Sequence, residues 1–160
     1  MSKKQRARVN PAQIATRLSE QQGLWQPLVR YNPLSRYYAR LASTPDFEAW
    51  LLTWVPGQGT EWHDHGGSAG AFITLQGTLT ELHATVAPGQ APRIDPVARQ
   101  LTTGTLRPFG TKHVHKVTNN DVEPAVSLHV YAPALVEMNQ YAPQGNILEL
   151  VTSQLVGVNW

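Results

Sequence analysis

Short runs of apolar and β-branched residues, broken by glycine and proline, dominate the chain from about Arg36 onward. SRYYARL, DFEAWLLTWV, AFITLQGTLTELHAT, the stretch near LTTGTL, HVHKVTN, AVSLHVYAP and NILELVTS have the residue types of strands, and turn residues separate them. That alternation predicts a β-barrel or a double-sheet sandwich. The proline-rich stretch VAPGQAPRIDP reads as a connection between two strand groups. Ahead of the β region, Asn10 and Pro11 predict the start of one short helix, with Ile14 and Leu18 on one face and Gly23 as its stop. In AVSLHVY, Ser127, His129 and Tyr131 fall on one face of an extended strand and Val126, Leu128 and Val130 on the other. A buried polar row without partners is costly, so this strand predicts an inward face arranged for polar contacts.

Composition narrows the class. A chain of 160 residues with 41% hydrophobic content supports one core, which predicts a single domain over residues 10–160 behind a basic, disordered tail at 1–9. Lys3, Lys4, Arg6 and Arg8 are four of the thirteen bases, leaving nine bases against eleven acids in the body. The high pI of about 9.1 therefore reflects the tail, and no nucleic-acid partner is expected. No apolar run is long enough for a membrane span and MSKKQRARVN leads into no apolar signal core, so the expectation is a cytoplasmic protein that does not engage a membrane. The absence of cysteine removes thiolate ligands and cysteine nucleophiles, so any soft-metal chemistry must use histidine.

Two histidine pairs supply that possibility. His63 and His65 lie between Gly57 and Gly77, and in a strand residues at i and i+2 share a face, so both imidazoles can reach one ion. His113 and His115 follow about fifty residues later in RPFGTKHVHKVTN. Two distant strands can thus provide three neutral nitrogens and leave coordination positions open.

The spacing Gly57, His63, His65, Gly77 resembles the first motif of the cupin barrel, with Gly70 where that motif carries an acid. Pro108, Gly110 and Asn119 resemble the second motif; counting from Gly110 favours His113 as its histidine, whereas counting back from Asn119 favours His115. More specifically, HDHGGSAGAFITLQGTLTE, HKVTN and EPAVSLHVYAP resemble the thiol dioxygenases, and among them the bacterial cysteine dioxygenases, over roughly residues 36–152. The resemblance implies an all-β cupin (double-stranded β-helix, jelly-roll) barrel with a short N-terminal helix. It implies His63, His65 and His115 as ligands of Fe(II), and His113 as a neighbour. It makes Ser127, His129 and Tyr131 the family's Ser-x-His-x-Tyr row, and Arg40, preceded by Tyr38, the substrate-binding arginine of its Tyr-x-Arg segment. Relatives resembling 3-mercaptopropionate dioxygenases carry glutamine in place of that arginine. Animal cysteine dioxygenases carry, at the position of Gly70, a cysteine that crosslinks to the active-site tyrosine. Here no crosslink can form, and Gly70→Cys is expected to bring a thiol within reach of Tyr131.

The chemistry of the residues agrees. Three neutral histidines leave Fe(II) its full charge and three open positions, enough for an aminothiol through sulfur and nitrogen plus O2. Oxidising a thiol to a sulfinate takes four electrons and reducing O2 accepts four, so no organic cofactor is required. The expected activity is conversion of L-cysteine to cysteine sulfinate by a monomer, with Arg40 on the substrate carboxylate and Tyr131, oriented by His129, as hydrogen-bond donor. Dioxygenation of 3-mercaptopropionate or another small thiol, a non-catalytic metal- or ligand-binding cupin, and a Zn(II) hydrolase are the alternatives. Trp50, Trp54 and Trp62 read as packing residues, and His83 as a surface histidine.

Overall fold

The computed structural model describes residues 8–155. Twelve strands run in the order β1 (Tyr37–Ser43), β2 (Glu48–Trp54), β3 (Trp62–His63), β4 (Ala69–Gln76), β5 (Leu79–Thr85), β6 (Arg93–Ile94), β7 (Arg99–Leu101), β8 (Leu106–Phe109), β9 (Val114–Thr118), β10 (Ala125–Ala132), β11 (Glu137–Gln144) and β12 (Ile147–Leu155). They form a five-stranded sheet, β1-β2-β10-β4-β8, and a seven-stranded sheet, β6-β12-β11-β3-β9-β5-β7, in which β6 also pairs with β5. Every pairing is antiparallel, and the sequence-distant neighbours mark the double-stranded β-helix expected of a cupin. Residues 1–7 of the expected basic tail lie outside the described residues.

All seven positions of β2 are buried because this strand is covered on both sides. Trp50, Leu52 and Trp54 point between the sheets and join Phe72, Leu79, Phe109, Val117 and Tyr131 in the main core. Ala49 points the other way, where helix α1 (Pro11–Ser19) lies over Ala71, Ile73, Leu128 and Val130. That helix begins as expected: the Asn10 side-chain oxygen accepts from Ala12 N at 3.0 Å, and Pro11 takes the first helical position. It ends differently. The chain leaves α1 at Ser19, and Gly23 lies inside a second short helix, α2 (Gln22–Trp25). Burying Trp25 against Leu51 and Val126 pulls that extra turn onto the sheet, which outweighs the small helical penalty of glycine.

The hydrophobic pattern misplaces three segments. LTTGTL supplies only the ends of β7 and β8, while Thr102–Thr105 form the turn between them, closed by Thr105 N donating to the Thr102 carbonyl at 2.9 Å. The loop VAPGQAPRIDP contains β6. Strand β11, EMNQYAPQ, has no apolar alternation, because its pairing with β12 and β3 leaves it half-exposed.

Candidate metal centre

The ligand set begins with a register. On β3 and β9, His63 and His115 are directly opposed partners, which places both imidazoles on the inner side of the seven-stranded sheet. Strand β3 ends at His63, and the chain turns just beyond His65: Gly66 N donates to Asp64 Oδ1 at 2.9 Å and Ser68 N to the His65 carbonyl at 3.0 Å. His65 nevertheless comes to the same place, its ring centroid 5.0 Å from that of His63 and 5.1 Å from that of His115. Each of the three histidines offers a ring nitrogen within 4.8 Å of the others, and all three are buried.

Asp64, between the two histidines, faces away and anchors the turn. Its carboxylate accepts from Asn139 Nδ2 at 2.9 Å and from Tyr141 Oη at 2.7 Å. Burial, together with this carboxylate, raises the Tyr141 pKa, so the phenol stays a donor. Neither Asn139 nor Tyr141 is marked by any sequence motif, because β11 is polar along its length. Gly77 closes the first motif for a steric reason: its φ is +77°, and a Cβ there would stand 2.6 Å from the Pro124 carbonyl oxygen. Asn119 of the second motif is fully buried and clamps a loop, donating to the carbonyls of Trp54 and Glu123, both at 2.9 Å.

The imidazoles are held in defined tautomers. His63 Nδ1 lies 2.8 Å from the Glu61 carbonyl and His115 Nδ1 2.8 Å from Glu81 Oε2, both pure acceptors, so each Nδ1 carries the proton. The two Nε2 atoms then face each other at 3.1 Å with only lone pairs between them. Two opposed lone pairs repel, and a cation shared by both removes the repulsion, so the donor set fits a metal ion. Burial pushes the pKa values of His63 and His65 well below the ordinary histidine value, and neighbouring imidazoles push them further. Burial also lowers His115, opposed by its bond to Glu81. All three are thus neutral imidazoles, the form that can coordinate a metal ion.

His113 does not join this set. It packs on Phe109, and its Nε2 lies 3.3 Å from Glu81 Oε2. Glu81, His113 and His115 form a second cluster with ligand atoms within 4.8 Å, but Arg107 Nε sits 2.6 Å from Glu81 Oε1 and already supplies the positive charge there. Burial raises the Glu81 pKa, and the hydrogen bonds from His113, His115 and Arg107 outweigh it, leaving the carboxylate ionised far below its ordinary range. Motif reasoning missed this residue because Gly70, not Glu81, occupies the motif's acidic position.

The three histidines open into a cavity of about 80 Å³, lined by Leu52, Trp54, Val117, His129, Tyr131 and Arg36 among others. A water needs roughly 10–15 Å³ of such space, so the cavity takes a small molecule of a few heavy atoms. Strand β10, in the facing sheet, delivers the polar row. Ser127 Oγ lies 2.7 Å from His129 Nε2, and the His129 and Tyr131 rings are 6.4 Å apart. Trp54, expected only to pack, donates from Nε1 to Ser127 Oγ at 2.9 Å. Ser127 Oγ thus bonds both the Trp54 indole N–H and the His129 ring, which fixes the orientation of that imidazole. Burial brings the His129 pKa down to about 3, so the ring is neutral at physiological pH. Burial raises Tyr131, whose phenol stays protonated.

The arginine that the resemblance implies for the substrate lies outside the cavity lining. Arg40 is exposed, with its guanidinium 5.5 Å from the Trp50 ring centroid, and it does not line the cavity. Tyr38 packs edge-on against Trp50 at 5.9 Å and does not line it either. Arg36 does line the cavity, its guanidinium 5.2 Å from the Trp54 ring centroid. Residues 36, 38 and 40 alternate onto the same side of the strand, so parity cannot separate them, but four residues span roughly 13 Å. That distance separates Arg40 from the cavity that Arg36 lines.

The architecture is that of the cupins. Solved structures agree: a protein from Thermus thermophilus aligns at TM-score 0.57 with 24% identity, covering 68% of this chain and 93% of its own. A double-stranded β-helix protein from Klebsiella pneumoniae aligns at 0.55 with 16% identity, covering 83% and 90%. A cupin superfamily protein from Desulfitobacterium hafniense aligns at 0.53 with 12% identity, covering 68% and 87%. Within that fold, the family model of cysteine dioxygenase type I matches residues 4–144, and the chain belongs to that family.

Proposed function

We propose that this protein is an Fe(II)-dependent dioxygenase of a small thiol, L-cysteine foremost, converting the thiol and O2 to a sulfinic acid with both oxygen atoms retained. The observation that carries this reading is the convergence of three uncharged imidazoles with a half-buried guanidinium and a buried phenol around one small cavity. His63, His65 and His115 would hold the ion, which when bound supplies the open positions where a thiolate and O2 meet.

The rest of the work falls to the chain's own groups. Arg36 pairs with the substrate carboxylate, and the Trp54 face beneath it limits where the guanidinium can swing. Burial lowers the Arg36 pKa, yet the group remains cationic, and a partly desolvated cation attracts a carboxylate strongly. Tyr131 keeps its proton and donates it in a hydrogen bond to the carboxylate or to the oxygen being transferred. Neutral His129, fixed by Ser127 and Trp54, sets the polar face against which that phenol is held. Leu52, Val117 and Met138 wall the cavity with apolar surface and restrict water.

The test is anaerobic loading of the purified protein with Fe(II), followed by O2 uptake and mass analysis of products from L-cysteine, cysteamine and 3-mercaptopropionate. The expected result is stoichiometric sulfinate formation, fastest with cysteine. An iron-loaded protein that consumes no O2 with any thiol refutes the reading.

A further inference from the structure

We propose that Glu81 is a positioning residue of the metal centre, supplying through His115 the negative charge that the ligand set itself lacks. The inference rests on the metal site proposed above and concerns how that site is tuned.

The three imidazoles differ in what stands behind them. His63 Nδ1 has a backbone carbonyl, a neutral acceptor. His65 Nδ1 is buried with no hydrogen-bond partner among the described residues. Only His115 has a carboxylate, at 2.8 Å, on a side chain with no exposed surface. A carboxylate accepting the Nδ1 proton fixes the ring's tautomer and orientation and makes its other nitrogen a more basic donor. His115 is therefore the strongest donor of the set, and its Nε2 is the one aimed at His63 Nε2.

The placement resolves a difficulty posed by Gly70. A carboxylate ligand would lower the charge at the ion but occupy a coordination position. Glu81 stands one hydrogen bond farther out, so it contributes charge and leaves that position open. On β5 it pairs with Val117, itself a cavity-lining residue, so both point inward. Arg107 at Oε1 and His113 at Oε2 hold the carboxylate in place, and the guanidinium also moderates its charge. Glu81 and Arg107 thus form an opposed pair acting on one imidazole.

The experiment compares full-length wild type, Glu81→Gln and Arg107→Ala, each loaded with Fe(II) anaerobically, for metal affinity by chelator competition and for the Fe(III)/Fe(II) potential. Glu81→Gln keeps the shape and an acceptor oxygen. It is expected to bind Fe(II) roughly 10- to 100-fold more weakly, a range typical of lost outer-sphere partners, and to shift the potential upward. Arg107→Ala, which leaves the Glu81 charge unopposed, is expected to keep affinity within a few-fold and to shift the potential downward. Opposite shifts support the proposal, because loss of an ordinary ion pair would affect both variants alike in melting temperature and neither in potential. Unchanged affinity and potential in Glu81→Gln overturn it. Should Glu81→Gln fail to fold, an unchanged potential in Arg107→Ala overturns it alone. A wild type that binds no iron refutes the metal site itself and is distinguishable from either result.

Discussion

Arg36 and Arg40 each place a guanidinium near a tryptophan ring, Arg36 at 5.2 Å from Trp54 and Arg40 at 5.5 Å from Trp50, and only Arg36 lines the cavity beside the three histidines. Substrate selection follows from that difference. Arg36→Ala is expected to lose roughly 2–5 kcal/mol in kcat/KM on cysteine, the usual penalty for removing one partner of a buried charge pair. Cysteamine, which has no carboxylate, should be turned over about as before, and Arg40→Ala should leave cysteine kinetics near wild type. Steady-state O2 uptake for the three proteins checks this; a large loss confined to Arg40→Ala would return the carboxylate to Arg40.

Metal retention separates the ligands from their neighbour. His63→Ala, His65→Ala and His115→Ala should each abolish tight iron binding, whereas His113→Ala removes one hydrogen bond to Glu81 and should retain the metal. Iron content of the purified variants after dialysis is the measurement.

Tyr131→Phe deletes a proton donor and keeps the ring that packs near His65 at 5.3 Å. Turnover should fall while iron content and thermal stability stay near wild type, because an interaction made mainly during the reaction appears in kcat. Equal turnover would reduce the β10 row to scaffolding.

Gly70 has no room for a side chain. A Cβ there would stand 2.4 Å from the Val130 carbonyl oxygen and 2.5 Å from the edge of Phe109. The aromatic ring occupies the space the thiol was expected to use, even though Gly70 and Tyr131 are register partners. Gly70→Ala should cost about 1–3 kcal/mol through overpacking. Thermal melts would show that as a lower Tm, by roughly 2–4 °C per kcal/mol. Intact-mass analysis of Gly70→Cys after prolonged turnover should show no species lighter by two hydrogens.

Acid should destabilise the metal-free protein. Burial holds His129 at about 3 when folded, below the ordinary value near 6.5, so between those values the unfolded chain binds a proton that the folded chain refuses. The stability owed to this neutral ring is fully present above about pH 6.5 and falls as pH drops toward 3, with a slope of about 1.4 kcal/mol per pH unit for one group. His129→Gln should flatten the dependence of denaturation midpoint on pH; an unchanged slope would mean the ring is protonated in the fold.

The β architecture, the two glycine-framed histidine motifs and the polar face of β10 are legible in the amino-acid order alone, because they depend on period-two alternation and on local backbone needs such as the positive φ of Gly77. The restriction of metal chemistry to histidine is legible there too, in the absence of cysteine. Tertiary packing resolves what parity leaves degenerate. His113 and His115 share a face, as do Tyr38 and Arg40, and the antiparallel register of β9 on β3 sets His115 opposite His63 while Arg36, just ahead of β1, lines the cavity. Glu81, Trp54 and Asp64 entered the site through contacts with residues 34, 73 and 75 positions away in the chain. Hydrogen bonds of that span leave no trace in local pattern, since each residue reads alone as an ordinary strand or turn residue and acquires its role only when the sheets close.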